Sequence, residues 1–222
     1  MIEKNPMFSS AKKCRICGST DLKKYLNLGA LPLANNLVPL DREDIDPCFP
    51  LEVQLCNKCK LSQLTVVVDP KILFSEYAYF TSVSTTFQKH FAEMALSVEK
   101  YFPKTSDCLI ADIASNDGCL LEQFKKRGFK IAGIEPASNI AKIANENGIP
   151  TIQEFWDENA AKELVRKFGK PDIVTATNVF AHVDDVHGFV KNVKSVLKPE
   201  GIFIIREGEF EVIKRVERSQ EI

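Results

Sequence analysis

The chain has 222 residues, enough for one large domain or for a small and a medium one. An apolar content of 45% and a charged content of 27% are those of a soluble globular protein, and a net charge of −1 provides no basic footprint for nucleic acid. No apolar run reaches the length of a membrane span, and the opening MIEKNPMFSS lacks the apolar core of a signal peptide, so a cytoplasmic protein with reduced thiols is expected.

Residues 1–12 read as a polar, mobile start. Cys14-Arg-Ile-Cys17-Gly18 and Cys56-Asn-Lys-Cys59 follow as two Cys-x-x-Cys pairs with 38 residues between them. Two intervening residues let both thiolates of a pair face one tetrahedral site, and Gly18 permits the tight turn after the first. The expectation is a structural Zn2+ on Cys14, Cys17, Cys56 and Cys59, because four thiolates fill the tetrahedron and leave no open position for substrate. A redox reading is poorer, since neither pair opens a helix after a buried strand. Cys48, Cys108 and Cys119 have no partner spacing and read as small packed residues. Glycines and prolines punctuate residues 13–68, which suits short strands around a metal, so 1–68 is predicted to be a zinc-binding domain.

Residues 69–106 form a connector, rich in aromatic and hydroxyl side chains around Tyr77 and Tyr79, and a packing helix. The alternate spacing of the two tyrosines fits a half-buried strand as well as a lid. Phe91, Met94, Ala95, Val98 and Phe102 recur at helical spacing within 87–102. From 107 to 206 strands and helices alternate. Strands are predicted at 108–113, 130–134, 151–153, 172–177 and 201–205, with helices at 119–127, 138–147, 157–168 and 184–197. Regular βα alternation predicts an α/β fold with a parallel sheet covered on both faces.

Within it, residues 109–135 make one strand–turn–helix–strand unit. The first strand carries Asp112, the turn is Ala114-Ser115-Asn116-Asp117-Gly118, and the second strand ends in Glu135. A small-residue turn lets a ligand approach the backbone at a helix N-terminus, and an acid at the tip of the second strand is placed to accept from ribose hydroxyls. The turn has Gly118 but Ala114 where a dinucleotide fingerprint would have its first glycine, which disfavours NAD. An acid in the first strand and a polar turn suit a cationic, phosphate-free ligand, and S-adenosylmethionine fits; an α/β fold binding another nucleotide, or nothing, is the competing reading.

The chain resembles the zinc-containing sugar C-methyltransferases that act on nucleotide-linked keto-deoxysugars. The matching pieces are C-x-x-C-G at 14–18, G-A-L-P-L-A-N at 29–35, C-x-x-C-x-L-x-Q at 56–63 and Y-x-Y-F-T-S at 77–82. They continue with D-I-A-S-N-D-G-x-L-L at 112–121, G-I-E-P-A-x-N at 133–139 and T-A-T-N-V-F-A-H-V-D-D at 175–185. The resemblance implies a Rossmann-like class I methyltransferase domain that binds S-adenosylmethionine. Asp112 of the strand and Ala114, Asn116 and Gly118 of the turn would bind the cofactor, with Asp112, Asn116 and Gly118 along its methionine part. Glu135 would hold the ribose, Phe155 and Trp156 would lie beside the adenine, and Asn178 under the reacting methyl. Tyr77, Tyr79 and Ser82 would cover cofactor and substrate, and His182 would face the substrate. The implied reaction is proton removal beside a ketone, then attack of the enolate on the S-methyl group. His182 has a plainer reading as a residue that caps or packs its turn, and an aromatic pair before a helix, such as Phe155-Trp156, is often core.

Related proteins continue with a Tyr-His-Glu-His stretch and a further domain. Here the last 17 residues, REGEFEVIKRVERSQEI, hold nine charges and no histidine. The expectation is a chain truncated before its C-terminal domain, with 207–222 a charged tail outside the native fold and the fifth strand left as a bare sheet edge. Weak or absent activity would follow, so a non-catalytic remnant that binds S-adenosylmethionine is one alternative. A zinc-containing RNA methyltransferase is another, disfavoured by the charge.

Overall fold

The computed structural model describes residues 7–34, 46–101, 107–208 and 210–215. Asn35 of the 29–35 motif, Phe102 and residues 216–222 lie outside them. The chain divides into two compact units, Met1–Tyr79 with Asp184–Val186, and Phe80–Val183 with His187–Ile222. Among the described residues no helix is long and apolar enough to cross a membrane.

The first unit is antiparallel. Its elements are β1 (Phe8–Ser10), β2 (Leu22–Pro32), β3 (Cys48–Cys56), β4 (Ser62–Leu64), β5 (Val66–Val68) and α1 (Pro70–Phe74). β2, β3 and β4 form one sheet in that order, and β1 pairs with β5. The expected mobile start is therefore corrected in part: Phe8 pairs with Val68 and Ser10 with Val66, a partnership between distant segments that a polar local sequence does not reveal. The core is small. Cys14, Phe49, Cys56 and Val66 are buried, while Tyr25, Leu26, Leu28 and Leu31 of β2 are exposed. Cys48 is exposed too, not packed as expected. No strand spans Tyr77 and Tyr79; Tyr77 meets Phe74 edge-on with ring centroids 6.0 Å apart, and Tyr79 is exposed.

The second unit opens with a 3-10 turn (Thr81–Val83) and α2 (Thr85–Tyr101). It continues through β6 (Leu109–Ile113), α3 (Cys119–Lys126), β7 (Lys130–Ile134), α4 (Ser138–Glu146), β8 (Thr151–Ile152), α5 (Glu158–Phe168) and β9 (Ile173–Thr177). A 3-10 turn (Phe180–His182), α6 (Val186–Val196), β10 (Ile202–Glu207) and β11 (Phe210–Arg215) complete it. Among the described residues the sheet order is β11-β10-β9-β6-β7-β8, parallel except for β11. Side chains alternate across each strand and so feed two cores. Ile110 joins Phe91, Met94, Ala95 and Val98 of α2 and Leu121 and Phe124 of α3 on one face. Leu109, Ala111 and Ile113 join Ala160, Ala161 and Leu164 of α5 and Phe189 and Val193 of α6 on the other. The apolar stripe of α2 thus makes this helix part of the α/β core.

The C-terminal expectation is corrected. Residues 210–215 are not a detached tail: β11 pairs antiparallel with all of β10, from Glu207↔Phe210 to Ile202↔Arg215. β10 ends just before Gly208, whose φ of +56° has the sign a tight hairpin requires. Edge pairing uses backbone N–H and C=O groups, and charged residues are common on edges, so the charge density of the segment was a poor guide.

Candidate cofactor site and metal centre

Between β6 and β9 the strand order reverses direction, and ligands of open α/β sheets bind outside the carboxyl ends of the strands at such a switch point. The turn after β6 is shaped for close approach: Ala114, Asn116 and Gly118 all have positive φ, at 56°, 50° and 80°. The first two are not glycines, so this geometry is held against its intrinsic cost by hydrogen bonds. The N–H of Ser115 donates to the Ile134 carbonyl (3.0 Å), that of Asn116 to Glu135 Oε2 (2.9 Å) and that of Gly118 to the Ser115 carbonyl (3.0 Å). A side chain at Gly133 would lie 2.6 Å from Ser115 Oγ and 2.7 Å from Thr151 Oγ1, so only glycine lets β7 pass beneath the turn.

Three carboxylates are buried here, Asp112, Asp117 and Glu135. Their hydrogen-bond partners among the described residues are neutral. Asp112 Oδ1 accepts from Thr175 Oγ1 at 2.6 Å. Asp117 accepts from the N–H of Ser82 (2.9 Å) and of Cys119 (3.3 Å), and Glu135 Oε1 accepts from the N–H of Ala137 (2.9 Å). Burial pushes Asp112 up to about 7, against the Thr175 hydroxyl, with the charge of Glu135 adding to the rise. Burial likewise raises Glu135, although its two backbone donors oppose the shift. Each Glu135 oxygen accepts one N–H, which leaves each oxygen a second acceptor position. Buried acids whose hydrogen-bond partners among the described residues are all neutral, around a backbone turned open by positive φ, fit a ligand that brings positive charge with it.

The other site residues divide. Asn116 uses its side chain internally, Oδ1 accepting from the N–H of Thr81 at 2.9 Å, which ties the turn of residues 81–83 to the loop. Asn178 sits exposed at the end of β9 with φ +54°, and His182 is exposed at the end of the following 3-10 turn. Phe155 is half-buried. Trp156 is half-buried and packs against the second core cluster: its Nε1–H donates to the Phe189 carbonyl (3.3 Å) and its ring meets that of Phe189 edge-on at 6.2 Å. Tyr77 and Tyr79 are in the other unit. Thr175, Asp117 and Glu207 are contributors that the sequence reading did not single out. The first two lie inside the quoted motifs; nothing local marks Glu207.

In the first unit, the Sγ atoms of Cys14, Cys17, Cys56 and Cys59 all lie within 4.8 Å of one another, with Cys14–Cys59 at 3.4 Å and Cys17–Cys56 at 3.5 Å. A tetrahedron of Zn–S bonds of about 2.3 Å spaces sulfurs roughly 3.8 Å apart, so the cluster is of the size a zinc ion needs. Two matching knuckles build it. The N–H of Gly18 donates to the Cys14 carbonyl (2.9 Å) and that of Lys60 to the Cys56 carbonyl (2.8 Å), with φ of +69° and +65°. The N–H of Cys59, the strongest influence, holds Cys56 down to about 6 against its burial. Gln63 pins the first knuckle, accepting from the N–H of Arg15 (3.0 Å) and donating to the Lys13 carbonyl (3.0 Å).

The fold and site define a doubly wound α/β domain with a nucleoside-type crevice, carried on the same chain as a four-cysteine metal module. Residues 87–217 match the family described as "Methyltransferase domain", and residues 14–74 the family described as "Putative zinc binding domain". The chain therefore belongs to the methyltransferase-domain family, and the match to residue 217 includes β11. It is 33% identical over 196 residues to C-methyltransferase NovU of Streptomyces niveus, covering 87% of this chain and 46% of that protein. It is 34% identical over 109 residues to the ubiquinone biosynthesis O-methyltransferase of Bradyrhizobium sp. (strain ORS 278), covering 46% of this chain and 42% of that one. The chain thus spans about half the length of these curated relatives, or slightly less. Among solved structures, the PH0226 protein of Pyrococcus horikoshii OT3 is similar with a TM-score of 0.46 and 21% identity, covering 57% of each chain. An S-adenosylmethionine-dependent methyltransferase fold and a four-cysteine zinc-binding module are the two parts of this chain.

Proposed function

We propose that the α/β unit binds S-adenosylmethionine at the carboxyl ends of β6, β7 and β9, and that the protein serves C-methylation of a nucleotide-linked keto-deoxysugar. The observation that carries the cofactor reading is the set of three buried carboxylates whose hydrogen-bond partners among the described residues are all neutral. The sulfonium and ammonium groups would supply the missing charge, and when bound the cofactor provides an electrophilic methyl group. Glu135 would accept from the ribose hydroxyls with the acceptor positions its backbone donors leave open. Asp112 would face the ammonium group, which favours its ionised form. Asn178, with Phe155 nearer the adenine end, completes the cofactor reading.

The substrate reading rests on the sequence resemblance and on the similarity to a C-methyltransferase over most of the chain. Carbon methylation beside a ketone requires a base within reach of the proton and a donor to the enolate oxygen. His182 is the residue of this unit assigned to the substrate side. The assignment of Tyr77 and Tyr79 to the reaction rests on the resemblance alone. The zinc module is structural in this reading, because its four thiolates leave the metal no open position.

Calorimetric titration of the zinc-loaded chain with S-adenosylmethionine, with NAD as control, tests the proposal. Saturable binding of S-adenosylmethionine alone, weakened at least tenfold in Glu135→Ala, is expected. Binding of NAD instead would overturn the cofactor reading. Tight binding with no methyl transfer to any keto-deoxysugar nucleotide would favour the non-catalytic alternative.

A further inference from the structure

The turn after β9 holds the two residues assigned above to the methyl group and the substrate, and its conformation is not self-supporting. Asn178 has φ +54°, in the left-handed region that non-glycine residues seldom occupy. The first amides of the 3-10 turn that follows have no partner within it. Both deficits are met from one place, the end of β10. The Asn178 N–H donates to the Arg206 carbonyl (2.7 Å), and Asn178 Oδ1 accepts from the Gly208 N–H (3.0 Å). One oxygen of Glu207, Oε1, accepts from the N–H groups of both Val179 (3.0 Å) and Ala181 (3.2 Å). The His182 N–H then closes the turn on the Val179 carbonyl (3.0 Å).

We propose that Glu207 is a positioning residue, whose carboxylate holds the Asn178–His182 turn in the shape that cofactor binding requires. The inference rests on the cofactor reading proposed above. The register explains why this residue is available: Arg206 lies beside Thr177 in the parallel pair, so the next residue of β10 reaches the first residues beyond β9. A charged acceptor shared by two amides makes hydrogen bonds about twice as strong as neutral ones. The hairpin at Gly208 fixes where that acceptor stands, because it ends β10 immediately after Glu207 and returns the chain as β11. The segment read from its charge as a tail outside the native fold thereby reaches the proposed cofactor site through one carboxylate.

The test uses the full chain with its zinc, S-adenosylhomocysteine as the calorimetric probe, and amide exchange followed by NMR. In Glu207→Ala, exchange at Val179 and Ala181 is expected to rise at least tenfold while amides of β6 and β7 keep their protection, and the probe should bind about tenfold more weakly. Glu207→Gln retains a carbonyl oxygen at the same reach and should restore binding to within about threefold. Should the alanine variant not fold, Glu207→Asp, one methylene shorter, carries the same comparison. Wild-type binding that either shortened variant leaves unchanged, or unaltered exchange at the two amides, overturns the positioning role. Failure of the wild type to bind the probe overturns the cofactor reading first, and with it the role given to the turn.

Discussion

The two units solve the same problem by different means. The α/β unit buries two continuous apolar clusters, one on each face of its sheet, with side chains such as Phe124, Leu121, Ile113 and Leu164 almost wholly enclosed. Among its described residues the N-terminal unit buries few side chains, and two of them, Cys14 and Cys56, are members of the metal cluster. With so small a core among the described residues, a bound metal is the expected main source of this unit's stability. The difference teaches where each unit's stability resides, and hence which perturbation each will feel.

Metal removal should separate the units most sharply. Chelation, or Cys56→Ser, should unfold the N-terminal sheet, since structural zinc contributes on the order of 10 kcal/mol in small metal domains. Hydrogen exchange should then show β2 and β3 unprotected with β6 and β7 unchanged; simultaneous loss in both would break the comparison. Conversely, Phe124→Ala should cost the α/β unit about 3–5 kcal/mol in urea unfolding and leave bound zinc at its original stoichiometry.

The buried acids make a finer test. Burial raises Asp112 to about 7, so the folded state holds this proton where the unfolded chain has released it. The folded form binds more protons across the window from the ordinary Asp value to about 7, and stability must fall as pH rises through it, by up to about 1.4 kcal/mol per pH unit. Asp112→Asn should flatten that slope between pH 5 and 7 in denaturant titrations; an unchanged slope would place the titration elsewhere. Smallest is Trp156→Phe, which removes one N–H donor to the Phe189 carbonyl. A loss of about 1 kcal/mol with unaltered S-adenosylhomocysteine affinity would establish Trp156 as core, and weakened affinity would return it to the adenine side.

Much of this was readable beforehand where the signal is local. The strand at Lys130–Ile134 coincides with its expected bounds, and the helices from Cys119, Ser138 and Glu158 begin within a residue of expectation. Each is bracketed by glycine, proline or a capping residue such as Asp157, whose side chain accepts from the N–H groups of Asn159 and Ala160. The metal cluster was legible too, because Cys-x-x-Cys spacing alone converges two thiolates. Asp112 and Glu135 are both buried at the strand ends where they were read, because strand ends next to small-residue turns are recognisable one at a time.

What the sequence by itself determined, then, is what one turn or one strand sets: the order of the α/β elements, most of their boundaries to within a residue or two, and the convergence of the four cysteines. Only the tertiary structure decided what depends on distant partners. It paired Phe8 with Val68, turned Trp156 toward Phe189, gave Asp112 the hydroxyl of Thr175, and brought Glu207 to the amides of Val179 and Ala181. The physical reason is common to all four. A hydrogen bond or strand pair between remote residues depends on sheet order and register, which are properties of the whole packed domain and leave no mark on the residues beside them.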